Sequence, residues 1–103
     1  MIVRTWHGCV PLQHQQGFTD HLNITGVQHA EATAGNCGAF VRQEIQGNYA
    51  HFFLATYWDS LAAIKSFAGE SYWVAVTYQD DEDFALISDP YVFHHRVDEI
   101  TTL

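Results

Sequence analysis

Histidines, tryptophans and acidic side chains are the groups in this chain that could do chemistry, and their spacing narrows what that chemistry is. A histidine with an ordinary pKa of about 6.5 suits proton transfer near neutral pH, and several together could hold a metal. Seven are present, but His94 and His95 are consecutive on a predicted strand, so their side chains point to opposite faces and cannot grip one ion. His14 and His21 are seven positions apart and could share a helix face. Chelation on a helix usually uses an i, i+4 pair, and neither a carboxylate nor a third histidine stands beside them. The acidic run "QDDED", residues 79–83, lacks the spaced ligands and central glycine of a calcium loop and reads as a solvated turn. No metal site is expected. Cys9 and Cys37 have no CxxC spacing and are expected to be reduced, half-buried thiols, neither of them a nucleophile.

These groups must be positioned by a small scaffold. A chain of 103 residues with 48% hydrophobic and 15% aromatic content suits one domain, residues 1–103, with one core. So many aromatic side chains in so small a domain suggest burial completed against a second copy. A net charge of -8 repels phosphate backbones and anionic lipid surfaces, so neither nucleic acid nor membrane is an expected partner. The longest apolar runs fall short of a spanning helix, and "MIVRTWHGCV" lacks the organisation of a signal peptide, which leads to the expectation of a soluble, cytoplasmic protein.

Along the chain, 2–10 is rich in β-favouring residues and ends at Pro11, as a strand does before a turn. From Gln13 to Thr25 the positions Phe18, Leu22 and Thr25 recur at helical spacing, with Gly26 expected to end or kink the helix and 27–32 able to continue it. The segments "AFVRQEI" and "YAHFFLATYW", joined by Gly47-Asn48, read as a β-hairpin. At "YWDS" the period changes from two to about 3.6: Asp59 or Ser60 caps a helix carrying Leu61, Ile64, Phe67 and Ala68, and Gly69 stops it. "ESYWVAVTY" is expected to add a helical turn or two, "FALISDP" to be a connector, and 91–97 to be the last strand. The order βαββαβ predicts an α+β fold with two helices covering one face of a four-stranded antiparallel sheet.

The start "MIVRTWHGCVP", the turn "ATAGNCGAFV", the corner "FFLATYWDSLAAIKSFAG" and the end "DPYVFHHRV" together resemble the antibiotic biosynthesis monooxygenase domain of the dimeric α/β-barrel superfamily. The resemblance covers nearly the whole chain, and the corner is its most specific part. It implies a ferredoxin-like fold, a homodimer packed sheet against sheet into a barrel, and a pocket in each subunit between sheet and helices. Activities in the superfamily include oxidation of polyphenols by molecular oxygen without metal or flavin, and oxidative degradation of heme. Fold alone does not choose between them, because function resides in the site.

Alternation along the strands limits which side chains meet. Val3, Thr5, His7 and Cys9 share one face of the first strand and Arg4, Trp6 and Gly8 the other, while Phe52, Leu54, Thr56 and Trp58 share a face of the third. The resemblance implies that helices cover the Trp58 face and puts His7 on the same side, where heme-degrading relatives carry an Asn. His7 and Trp58 are therefore the candidate catalytic pair, His7 as base or anion donor and Trp58 as a stacking wall. For Trp58 the alternative is an aromatic that closes the core at the corner, and for His7 a strand histidine satisfied by backbone or water. His21, Tyr72, Tyr78 and His94 are candidate substrate-binding residues. His21 either lines the pocket or faces solvent, Tyr72 and Tyr78 either wall it or pack the core, and the face taken by His94 stays open. Heme relatives use a proximal His after the corner, and "YWVAVTY" at 72–78 has none.

The expected function is a cofactor-independent monooxygenase acting on a small apolar, aromatic or polyketide-like substrate. Such chemistry needs a dry pocket, a base and a donor that holds the substrate anion. The competing expectations are a non-catalytic binding or oligomerisation module and, third, a heme-handling protein.

Overall fold

The computed structural model describes residues 1–97. Strand β1 (Ile2–Pro11) is central, flanked on one side by β3 (Tyr49–Trp58) and beyond it β2 (Asn36–Gln46), and on the other by β4 (Ile87–Ser88) and β5 (Phe93–Arg96). All pairings are antiparallel. The last strand position is thus filled in two pieces, and "FALISDP", expected to be only a connector, contributes one of them. Pro90 lies in the gap, where a residue without an N–H cannot donate to the ladder.

The first helical stretch opens with a 3-10 turn at Leu12–His14 and runs through α1 (Gln15–Leu22), a π turn at Asn23–Val27 and α2 (Gln28–Glu31). The helical stretch does not end at Gly26. It widens there, because a Cβ at that position would lie 3.1 Å from Leu22 Cδ1 and 3.3 Å from Leu54 Cδ2, so glycine lets the helix approach the sheet. The hairpin turns at Gly47-Asn48, with Gly47 at φ +60°. Helix α3 (Leu61–Ala68) is capped by Ser60, whose hydroxyl accepts from the Ala63 N–H at 3.1 Å.

Residues 70–78 are not helical. They turn at 71–74, where the Val74 N–H donates to the Ser71 carbonyl at 3.0 Å, and then follow an irregular path, with Val74 bridged to Tyr91 and the Ala75 N–H donating to the Pro90 carbonyl at 3.0 Å. Their β-branched residues favour this path, and it turns the Tyr72 and Val74 carbonyls toward Arg4. The acidic run is a 3-10 turn, Gln79–Phe84, and is not wholly solvated: Asp81 is half-buried. Cys37 is exposed, where half-burial was expected, and both cysteines are free thiols.

Two apolar clusters fill the space between sheet and helices. One gathers Val10, Phe18, Leu22, Ala50, Phe52 and Leu54; the other gathers Ala30, Trp58, Ala63 and Ile64, with Phe67 and Tyr72 packed on it. Among the described residues no helix is long and apolar enough to cross a membrane.

Candidate functional site

The register of β1 against β3 decides which side chains meet. Ile2 stands opposite Trp58, Arg4 opposite Thr56, Trp6 opposite Leu54 and His7 opposite Phe53. Facing residues in adjacent strands project to the same side, so the even positions of both strands face the helices. Arg4 and Trp6 are there with Trp58, and His7 is on the open face.

A cavity of about 40 Å³ lies where the two clusters meet, lined by Arg4, Trp6, Phe18, Leu54, Phe67 and Tyr78 together with Asp81 and Gly26. By the usual measure of about 10–15 Å³ per water, it has room for roughly three. Arg4 is only 4% exposed. Its Nη1 donates to the Tyr72 carbonyl, Nη2 donates to the Val74 carbonyl at 3.2 Å, and the guanidinium stands 5.6 Å from the centre of the Phe67 ring. Burial pulls its pKa down to about 10, with Tyr78 opposing, which leaves it charged at neutral pH. Among the described residues no carboxylate pairs with it.

Arg4 Nη1 also lies 3.2 Å from His94 Nε2. Arginine can only donate, so His94 Nε2 accepts and the imidazole is neutral with its proton on Nδ1. Burial, then the Arg4 charge and His95, hold the His94 pKa below its ordinary 6.5. The unfolded chain therefore takes up a proton that folded His94 refuses, and stability falls as pH drops below about 6.5. Urea unfolding at pH 7 and pH 5 should show this loss, and His94→Gln should make it smaller.

Tyr78 forms the far wall. Its hydroxyl is 2.7 Å from Nδ1 of exposed His29. Burial and Asp81 push its pKa up to about 12, against the pull of Arg4, so the phenol is protonated. Asp81 fixes this wall: one oxygen accepts the Tyr78 backbone N–H at 2.8 Å and the other lies 2.7 Å from His21 Nε2.

The structure thus brings Tyr78 to the cavity, and places His94 and the Tyr72 carbonyl behind Arg4. His21 is buried and acts on the wall through Asp81; it does not face solvent. Trp58 is fully buried, donates from Nε1 to Thr56 Oγ1 at 2.8 Å, stacks at an angle on Phe67 with ring centres 5.4 Å apart, and does not line the cavity. The expectation that His7 shares its side is corrected by the register. His7 instead joins a chain on the open face, with Nδ1 3.1 Å from Asp89 and Nε2 2.8 Å from His51 Nδ1. Sequence reasoning missed Arg4, His29 and Asp81. The signal for Arg4 was present: a lone cation in an apolar strand, on the face opposite to His7.

Solved structures share this fold. The whole chain superposes on 98% of a Deinococcus radiodurans protein provisionally assigned as an antibiotic biosynthesis monooxygenase, with a TM-score of 0.64 and 15% identity. It also superposes over 98% of its length on all of Rv0793 from Mycobacterium tuberculosis, with a TM-score of 0.55 and 15% identity. No family model and no curated protein matches the sequence. The fold is therefore the ferredoxin-like α+β fold that the sequence led us to expect, shared with both of these structures.

Proposed function

We propose that this chain is a small monooxygenase of the antibiotic biosynthesis monooxygenase type, working without metal or flavin on a small molecule held between sheet and helices. The observation that carries this reading is Tyr78, which lines the cavity and whose hydroxyl reaches exposed His29. As Tyr78 oxygen takes a proton from an enolic or phenolic substrate, its own proton passes to His29 Nδ1 and on to water. The apolar walls exclude water, and the electron-rich anion reduces molecular oxygen. One oxygen atom enters the substrate and the other leaves as water, with all electrons drawn from the substrate.

The cavity is tight, so a ring larger than a few atoms requires the half-buried walls Phe67, Val76 and Leu86 to shift. With hydroquinone as substrate in an oxygen electrode, Tyr78→Phe should lower kcat by about 10² with little change in KM. An unchanged rate would remove the relay. The same tightness favours a second reading, a binding module without turnover, which predicts ligand binding and no oxygen uptake.

The open face fits a homodimer. A groove of about 330 Å³ there is lined by His7, Arg42, Phe53, Asp89, Tyr91 and Phe93, with Phe40 and Phe93 largely exposed. Such apolar surface marks an interaction site. On this reading the chain His51–His7–Asp89 lies at the interface between copies, and light scattering should return twice the chain mass.

A further inference from the structure

We infer that Arg4 makes the cavity selective for a compact carboxylate: the ligand arrives already carrying the negative charge that this cation lacks. The inference names the ligand class of the cavity proposed above and rests on that cavity being the ligand site, not on turnover.

A guanidinium has five N–H donors. Three are engaged, by the carbonyls of Tyr72 and Val74 and by His94 Nε2. The Nε–H and one N–H of Nη2 have no protein acceptor among the described residues. A carboxylate can take such a side-by-side pair of donors through both oxygens, which gives geometric as well as electrostatic selection.

Carbonyls and an aromatic ring are neutral partners. They supply hydrogen bonds and a cation–π contact but do not cancel the charge, and a buried charge left uncompensated is costly. An anion entering the cavity removes that cost, whereas a neutral molecule does not. The cavity's other ionic wall, Asp81, already disfavours an anion at Tyr78; its oxygens are turned to the Tyr78 N–H and His21, so the place for an anion is beside Arg4. His94 is neutral and accepts from Arg4, so it adds no competing negative charge. The small volume limits what fits: a carboxylate with one or two carbons occupies the cavity, and a larger body must project through its mouth.

The test is an NMR titration of the full chain with sodium acetate and with its neutral analogue acetamide, at constant ionic strength set with chloride. Acetate should bind at least tenfold more tightly than acetamide, with shifts centred on Arg4, Phe67 and Tyr78. Arg4→Lys keeps the charge but loses the fork, and should weaken acetate about tenfold. Arg4→Met should bind both probes equally; if that variant does not fold, the wild-type comparison and the lysine variant still decide. Equal affinity for the two probes, or acetate shifts confined to Arg42 on the open face, overturns the inference. Acetate binding without any oxygen uptake supports it while removing the monooxygenase reading; uptake from a neutral substrate with no acetate preference does the reverse.

Discussion

Trp58→Ala should lower the free energy of unfolding by about 3–5 kcal/mol, the range for truncating a large buried aromatic. The ring is fully buried among Ala30, Ala63, Ile64 and Phe67, so that α2 and α3 meet on a side chain supplied by β3. Small alanines on two sides cannot expand to fill the space, so a cavity remains and the cost stays near the upper end. The mutation also removes the donor that pairs with Thr56 Oγ1, a side chain only 2% exposed. Since a domain of this size is stable by about 5–15 kcal/mol in all, the variant should be close to unfolding at 37 °C. Urea denaturation is the measurement, with Trp58→Phe retaining most of the packing and losing the hydrogen bond. A Trp58→Ala chain that kept wild-type stability but lost activity would return this residue to the role of substrate wall.

Asp81→Ala should cost about 3 kcal/mol, as expected when one partner of a buried charged hydrogen-bonded pair is removed. The two side chains of the His21–Asp81 pair are only 9% and 14% exposed, so water does not easily replace the lost partner. Two groups are orphaned at once, His21 Nε2 and the Tyr78 backbone N–H. The second loss matters for function: the 3-10 turn that presents Tyr78 loses its internal brace, and oxygen uptake should fall with stability. A double-mutant cycle with His21→Ala isolates the pair, and a coupling energy above about 1 kcal/mol is expected for groups in direct contact. Additive effects would mean that the acidic turn holds its shape by backbone bonds alone.

Much of this molecule was legible from local rules. The 3.6-residue period after Trp58, the serine at the cap and the glycine at the stop gave α3 as it stands, and Gly47-Asn48 between two alternating segments gave the hairpin. Those signals are local, and the physics that produces them acts within a few residues. The non-helical path of 70–78 was missed for the opposite reason. Its tyrosines and tryptophan carry no clear period, and what holds it is a bridge to Tyr91 and a buried arginine sixty-eight and seventy positions away from the carbonyls that receive it.

The site shows the same division more sharply. Alternation alone separated Arg4, Trp6 and Gly8 from Thr5, His7 and Cys9, so the sequence determined that Arg4 and His7 could not serve the same side of the sheet. It did not determine which set would join Trp58. That depends on the pairing of β1 with β3, strands nearly fifty residues apart with no short turn between them to fix their register, and a slip of one residue would exchange the two faces. Tertiary packing made the choice: Ile2 stands against Trp58, the even positions turn inward, and the buried cation facing the cavity is Arg4.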